Sequence, residues 1–328
     1  NGEIYNFREL RTDLEALGES FESNGDTEVL LKALICWGVS VLSRLNGIFA
    51  FAFYDRHEKT LLMARDHAGI KPLYVMNSGR GVVFGSQFNQ ILRHPWSKDH
   101  KIDGEAVRLY LRFSYVPAPY SILSNCSMLE PGSWVRYSAN GKFESGSYWA
   151  FPRPVSPTLS GNEAIEAVDS AITDAVRRQL VSDVPVGAFL SGGIDSPLVV
   201  AKMREAGHSS IRAYTIATDD TATDESADAR MYAAELGVEH LVESITPEKA
   251  LSLLSDVVSA SSEPFGDYSI FPTMLVSRFA SKDFKVMLSG DGGDELFWGY
   301  PERSGSLIHH ASRFGRPYPV RRLHSLLR

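Results

Sequence analysis

The sequence predicts two domains of different class, an α+β domain with stacked antiparallel sheets and flanking helices, then an α/β domain with a parallel sheet. Three observations predict it. Residues 47–86 read as short strands paired around polar turns, beside stretches of helical periodicity. From residue 161 short apolar strands alternate with helices, the pattern of a parallel sheet covered on both faces. Between them, residues 151–160 hold three prolines and no periodicity, as an interdomain linker does. The predicted domains are 1–150 and 161–328, joined by 151–160, and a length of 328 residues suits two cores.

The elements follow in order. Leu10, Leu14 and Leu17 recur at helical spacing over Phe7–Leu17, which ends at Gly18. Asp26 stands where an N-cap would, ahead of an apolar helix over Val29–Val39. Gly47–Asp55 and Thr60–Arg65 read as paired strands, with Phe49, Phe51 and Phe53 as sheet core. Pro72–Met76 and Val82–Ser86 repeat the pattern around Asn77-Ser78-Gly79. A helix over Gly104–Phe113 and short strands marked by proline and glycine carry the chain to Trp149. Beyond the linker, Ile165, Val168, Ile172, Val176 and Leu180 line one helix face. Then come strand Pro185–Leu190, helix Pro197–Ala206, strand Ile211–Ala217, helix Ser226–Leu236, helix Ile270–Ser281 and strand Lys285–Leu288. There is no internal repeat and no low-complexity tract.

Composition narrows the function classes. Net charge −7 and a pI near 5.8 give no support to nucleic-acid binding. The longest apolar run, Gly47–Tyr54, is far short of the roughly 20 residues a bilayer span needs. Two cysteines, Cys36 and Cys126, cannot build a disulfide framework, which points to a reducing, cytoplasmic compartment. No His or Cys set has zinc spacing.

Two loops carry the chemistry. Ser191-Gly192-Gly193-Ile194-Asp195-Ser196 lies between a predicted strand and a predicted helix, where open α/β sheets bind ligands. Its glycines let backbone amides approach an anion, the helix N-terminus adds its positive end, and both serines can donate. Asp195 would repel a phosphate unless a cation bridges them, so Mg²⁺ is implied. The loop lacks the lysine of a Walker A sequence. The second loop, Ser289-Gly290-Asp291-Gly292-Gly293-Asp294-Glu295, again follows a predicted buried strand. Its three acids would repel one another in a plain turn, and a bound cation resolves that repulsion. A helix-capping serine–glycine turn and a solvated acidic turn are the plainer readings of each loop alone.

Ser191–Ser196 resembles the pyrophosphate loop of PP-loop ATP pyrophosphatases, and Ser289–Tyr300 resembles asparagine synthetases. Asn1-Gly2-Glu3-Ile4-Tyr5-Asn6 is similar to the glutamine-binding strand of class II glutaminases. Gly25–Leu30, Phe49-Ala50-Phe51, Ala64–His67, Gly69–Tyr74, Tyr115–Pro119 and Glu263-Pro264-Phe265 match in the same order. The chain is therefore identified as a member of the glutamine-hydrolysing asparagine synthetase family.

The resemblance implies a glutaminase domain followed by an ATP-dependent synthetase domain. Its implied reaction converts L-aspartate, L-glutamine and ATP to L-asparagine, L-glutamate, AMP and pyrophosphate through an acyl-adenylate. Asn1 and Gly2 would form an oxyanion hole, and Asn1, Gly2, Glu3 and Asp26 would hold glutamine. ATP would contact Phe189, Ser191, Gly192, Gly193, Asp195, Ser196, Ile216, Ser289 and Gly290. Asp195 and Asp294 would hold Mg²⁺, and Asp291 would act beside the acyl-adenylate as a catalytic group. The implied partners are these small molecules, with no nucleic acid and no membrane, and a homodimer is compatible with the resemblance.

The departures are specific. The family's nucleophilic cysteine belongs some tens of residues upstream of Asn1, and its catalytic lysine and aspartate-binding helices belong beyond the second loop. The expectation is a piece of a larger enzyme, inactive as a glutaminase in itself. Cys36, beside Trp37 in an apolar helix, reads as buried packing, and Cys126 as a loop residue without an activating neighbour. Asp291, Ser262 and Gln87 stand where relatives often carry Glu, a carboxylate and an acid. The acidic run Asp219–Asp228 reads as the cap of the next helix, although the family's Asp-Glu pair, here Asp224-Glu225, lies near the nucleotide. His309-His310 would splay apart on a helix, and Arg313–Arg328 reads as a solvated helix face. Two alternatives stay open: a relative that amidates another carboxylate, such as a sugar acid in polysaccharide assembly, and a catalytically silent nucleotide-binding relative.

Overall fold

The computed structural model describes residues 1–152, 158–261, 263–297 and 299–300. By their contacts they form two units, Asn1–Ile165 with Pro247–Met274, and Glu166–Thr246 with Leu275 onward. In chain order the first unit carries β1 (Gly2–Ile4), α1 (Phe7–Ala16), α2 (Asp26–Trp37), β2 (Gly47–Asp55), β3 (Thr60–Arg65), β4 (Tyr74–Asn77), β5 (Val82–Gly85), α3 (Phe88–Arg93), α4 (Gly104–Phe113), β6 (Cys126–Met128), β7 (Ser133–Ser138) and β8 (Phe143–Ser147). There follow α5 (Gly161–Gln179), β9 (Val186–Phe189), α6 (Asp195–Glu205), β10 (Arg212–Thr218), α7 (Ser226–Leu236) and β11 (Glu239–Ile245). The chain then returns to the first unit with α8 (Pro247–Ser252) and α9 (Leu254–Ala260), before α10 (Ile270–Ala280), β12 (Val286–Leu288) and α11 (Gly293–Phe297). The sequence reading is contiguous on either side of its linker, whereas residues 247–274 make their contacts in the first unit. Residues 153–157 of that linker, Ser262, His309-His310 and Arg313–Arg328 lie outside the described residues.

Alternation along the strands builds the first unit in layers. Its antiparallel sheets run β1-β2-β3-β7-β8 and β5-β4-β6. Phe49, Leu62 and Ala64 turn to one face, where Leu10, Leu14, Val29, Ala33 and Leu34 of α1 and α2 meet them. Phe51 and Phe53 pack on the same cluster. Ala50, Met63 and Val135 turn to the other face and meet Leu73 and Val75, so the two sheets stack. Tyr74 and Met76 continue outward to Phe88 and Ile91 of α3. Each fully buried aliphatic or aromatic side chain contributes about 1.5–3 kcal/mol here.

The second unit is a parallel sheet of order β11-β10-β9-β12. One face packs Ala188 and Ala213 against Val200 and Met203 of α6 and Ala229 and Ala233 of α7. The other buries Tyr214, whose ring stands edge-on to Phe279 of α10 at 5.1 Å. Strand order therefore reverses between β9 and β12, the topological switch point of an open α/β sheet.

Several expectations need correcting. Helix α2 begins at Asp26, with Gly25 as N-cap, because the Asp26 carboxylate is used in a tertiary contact instead of capping its own helix. Cys36 is exposed in the last turn of α2, although it lies seven residues after Val29, one of the helix's buried residues with Ala33 and Leu34. Cys126 begins β6 and is buried. On α5, Val176 is buried but Ile165 and Val168 are exposed, so the apolar stripe is packed only toward its C-terminal end.

Glu28 in the first turn of α2 ties down the preceding loop, accepting the amides of Glu22 at 3.0 Å and Ser23 at 2.7 Å and the Ser23 hydroxyl at 2.7 Å. The Ser23 hydroxyl and then these amides hold its carboxyl at about 2, below the usual 4.5. A depressed carboxyl stabilises the fold above its unfolded value, and the contribution is lost as pH falls from 4.5 toward 2. A ¹³C titration of the Glu28 carboxyl is expected to show a midpoint near 2, and Glu28→Gln to flatten that part of the pH–melting curve.

Candidate functional site

In the first unit, β1 forms the free edge of the five-stranded sheet. Asn1 and Ala50 exchange both backbone bonds, at 3.1 and 2.8 Å, and Tyr5 donates to Asn46 at 2.7 Å. Odd residues thus point their amides at β2, and even residues point theirs away. Ile4 shows this, since its N–H donates 2.9 Å to Asp26 Oδ2. By the same alternation the Gly2 N–H faces the free edge. Gly2 has φ +124°, and a Cβ there would overlap the Ile48 carbonyl, so the position requires glycine. Asn1 and Glu3 share the face opposite the buried Ile4, and all of Asn1, Gly2 and Glu3 are exposed. The structure therefore brings the four predicted residues Asn1, Gly2, Glu3 and Asp26 to one strand edge. Tyr5 beside them is pushed up to about 12 by burial, then by Glu3 and Asp66.

What fixes that edge lies in the matched stretch Ala64–His67, in two residues to which the sequence assigns no role. Asp66 is fully buried behind β2, and its carboxylate accepts the amides of Phe49 (3.2 Å), Ala68 (3.1 Å), Ile70 (2.9 Å) and Lys71 (2.9 Å). Phe49 is the residue that faces Gly2 across the pair. Arg65 donates to the carbonyls of Lys71, Leu129 and Gly69 at 2.8, 2.6 and 2.6 Å. These two side chains are pins for backbone, which explains two charges at 6% and 0% exposure.

Neither cysteine has the surroundings of a nucleophile. Burial first, then Glu19, whose carboxylate lies 3.6 Å from the thiol, pushes the Cys36 thiol up, and burial pushes Cys126 up to about 11. Ellman's reagent is expected to titrate one thiol in the native chain, Cys36, and two after denaturation.

In the second unit the two loops leave the C-terminal ends of β9 and β12, the strands flanking the switch point. The first loop closes on itself: Ser191 N–H donates to Ser196 Oγ at 2.9 Å, the two hydroxyls are 2.9 Å apart, and Gly193 N–H reaches Ser191 Oγ at 3.3 Å. The second packs onto it. A Cβ on Gly290 would sit 2.7 Å from Ser196 N and 2.9 Å from Asp195 Cβ, and one on Gly293 would overlap the Asp195 carboxylate. Glycine at both positions is thus a condition of the loops meeting. Burial, then Asp294, then Glu295, pushes the Asp195 carboxyl above its ordinary 3.8. Asp291 is exposed, its carboxylate accepting from Ser289 Oγ at 2.9 Å.

Phe189, the last residue of β9, pairs with Tyr214. The Tyr214 carbonyl accepts Leu190 N–H at 3.0 Å, so Ile216, two residues on, turns its backbone groups to the same side, past the last paired residue of β9. The acidic run serves two purposes. Asp224 accepts the Ser226 amide at 3.2 Å and hydroxyl at 3.0 Å, capping α7, while Glu225 accepts the Gly192 amide at 3.0 Å. Glu225 is a loop contact the motif reading underweighted.

Among the described residues no three His, Cys, Asp or Glu side chains converge into a metal cage. Asp195 and Asp294 fit a divalent cation on the chemistry of the donors: hard oxygens in mutual repulsion, needing phosphate oxygens or water to complete the shell.

Comparison with known proteins bears on this geometry. The glutamine amidotransferase domain family matches residues 1–149, and the asparagine synthase family matches residues 167–326. "Asparagine synthetase [glutamine-hydrolyzing] 1" of Bacillus subtilis is 36% identical over 92% of this chain and 47% of its own length. The two matches take up most of the chain, with the glutamine amidotransferase part first and the asparagine synthase part second.

Another asparagine synthetase of the same bacterium, number 3, is 33% identical over 92% of this chain and 51% of its own length. "Amidase chry2" of Gibberella zeae is 30% identical over 92% of this chain and 46% of its own. The chain thus spans about half the length of these curated relatives. Among solved structures, a glutamine-dependent NAD+ synthetase from Acinetobacter baumannii aligns with TM-score 0.33 and 14% identity over 84% of this chain and 65% of that one, too distant to argue from. The Glu-Pro-Phe motif, which falls in the span matched by the asparagine synthase family, makes its contacts in the first unit. Glu263 accepts the Tyr74 hydroxyl at 2.8 Å and the Ile122 amide at 2.6 Å, and Phe265 bridges Tyr115. No described helix is long and apolar enough to cross a membrane.

Proposed function

We propose that these residues belong to an enzyme that forms L-asparagine from L-aspartate, with ammonia from glutamine and energy from ATP. The observation that carries the reading is the meeting of the two loops at the switch point, with Asp195 wedged against Gly290 and Gly293. Amides of a glycine-rich loop at a helix N-terminus are donors for phosphate oxygens. In this reading Ser191, Gly192, Gly193 and Ser196 hold pyrophosphate, Phe189, Ile216, Ser289 and Gly290 contact the nucleotide, and Asp195 and Asp294 hold Mg²⁺. Mg²⁺ held there would supply charge neutralisation of the leaving pyrophosphate. The aspartate carboxylate attacks the α-phosphorus and pyrophosphate leaves; ammonia attacks the acyl carbon and AMP leaves. Asp291, exposed at the loop tip, takes the proton lost by the incoming nitrogen.

At the first unit's sheet edge, Gly2 N–H and the Asn1 side chain serve as an oxyanion hole, and Glu3 and Asp26 bind the glutamine ammonium. Residues 1–150 act as the amidotransferase domain and those from 161 as the synthetase domain, in a cytoplasmic enzyme.

Aspartate-dependent exchange of labelled pyrophosphate into ATP by the intact protein tests the reading. Exchange with aspartate supports it. A relative not named as an asparagine synthetase aligns over the same 92% of the chain, and the second reading is another carboxylate acceptor, such as a sugar acid. Exchange with a sugar acid but not with aspartate would establish that one instead.

A further inference from the structure

Beneath the serine–glycine loop lies a buried hydrogen-bond chain that belongs to no motif. Thr215, in the middle of β10, is 4% exposed. Its hydroxyl donates to the Leu190 carbonyl at 2.6 Å, and the same oxygen lies 2.7 Å from His240 Nε2 on β11. A threonine hydroxyl has one proton. A carbonyl only accepts, so that proton points at Leu190 and the hydroxyl must accept from the ring. His240 therefore carries a proton on Nε2. Burial, then Arg230, pushes the imidazole pKa down, so the neutral Nε2–H tautomer is the resting form.

The chain sits where β9 leaves the sheet. β9 pairs with β10 only through Ala188 and Phe189, and Leu190 still donates its N–H to Tyr214. At the Leu190 carbonyl a side chain replaces the backbone ladder. That carbonyl shares a rigid peptide plane with the Ser191 N–H. The Ser191 N–H in turn donates to Ser196 Oγ at 2.9 Å, and Ser196 Oγ lies 2.9 Å from Ser191 Oγ. A line of bonds thus runs from His240 through Thr215 and one peptide plane to both serines of the loop.

We propose that Thr215 and His240 are positioning residues that fix the Leu190–Ser191 peptide, and with it the aim of the loop's donors at a nucleotide's phosphates. The proposal rests on the nucleotide reading above. Neither side chain touches phosphate. Without the hydroxyl, the Leu190 carbonyl loses its donor, and rotation of that peptide swings the Ser191 N–H away from Ser196.

The test uses Thr215→Val, isosteric but without the hydroxyl, and Thr215→Ser, which keeps it. Thr215→Val is expected to weaken binding of ATP with Mg²⁺, and of pyrophosphate with Mg²⁺, by about 10-fold, the cost of one buried hydrogen bond. Thr215→Ser is expected to stay within about 2-fold, a few tenths of a kcal/mol. Long-range ¹H–¹⁵N spectra of the unsubstituted protein are expected to show His240 neutral and protonated on Nε2. The Ser191, Gly192 and Gly193 amide signals are expected to move in Thr215→Val and not in Thr215→Ser. Wild-type affinity with unmoved loop amides in Thr215→Val, or a His240 protonated on Nδ1 alone, would overturn the relay. If the unsubstituted protein binds no nucleotide, the nucleotide reading falls, while the tautomer and loop-amide signals still decide the relay.

Discussion

Asp195→Ala is expected to reduce pyrophosphate–ATP exchange by at least about 100-fold, the scale of removing one preorganised electrostatic group at a reacting centre. The same substitution is expected to leave the melting temperature unchanged or to raise it. Asp195 sits against Gly290 and Gly293 with Asp294 and Glu295 nearby, and its carboxyl is pushed above the ordinary value. An acid with a raised folded pKa keeps its proton longer in the folded state, so ionising it costs stability as pH rises through that range. Alanine removes the adverse charge. Loss of exchange without loss of stability separates a phosphate-site residue from a structural one, and equal exchange in the variant would remove the first loop from the mechanism.

Asp66→Ala is expected to destabilise the first unit by about 3–5 kcal/mol, at the upper end for a single substitution. Four backbone amides, those of Phe49, Ala68, Ile70 and Lys71, lose the fully buried carboxylate that accepts them, with Ala68 and Ile70 themselves at the surface. Each orphaned buried donor costs about 1–3 kcal/mol, and water entering the new cavity recovers part of it. Asp66→Asn is expected to fall between, since its amide nitrogen turns a donor toward donors. Urea denaturation followed by the fluorescence of Trp134 and Trp149 checks both. Because Phe49 pairs with Gly2, the loss should also loosen the Asn1–Glu3 edge.

Much of the fold is legible in the sequence, for identifiable reasons. β2 and β3 match their expected bounds because each strand alternates between two apolar layers: Phe49 and Leu62 toward helices, Ala50 and Met63 toward the second sheet. α4 and α7 match as well, each with caps and a small-residue or apolar face. β11 escapes, since Glu239–Ile245 is a partly exposed edge strand without alternation, and its partner β10 lies a helix away in sequence. The burial of Cys36 is misjudged because its apolar neighbours and its spacing of seven from the buried Val29 both predict burial, whereas the residue is exposed.

The candidate sites divide the same way. Positions where the backbone packs too closely for a side chain announce themselves by glycine and spacing, as at Gly192 and Gly290. Residues that act through others do not. Arg65 and Asp66 fall in the matched stretch Ala64–His67, but the match assigns them no role, and only their seven bonds to backbone reveal one. Thr215 looks like an ordinary β-branched strand residue until the Leu190 carbonyl is found on its hydroxyl. The return of residues 247–274 to the first unit depends on contacts far apart in sequence, such as Tyr74 with Glu263, which periodicity cannot report.

Whether the two loops hold a nucleotide's phosphates is tested most directly by calorimetric titration of the 328-residue chain with ATP and Mg²⁺. One ATP is expected to bind per chain, pyrophosphate to compete with it, and Asp195→Ala to weaken it by about 10-fold or more. No binding by the folded chain, or binding that Asp195→Ala leaves untouched, would contradict a phosphate site at the ends of β9 and β12.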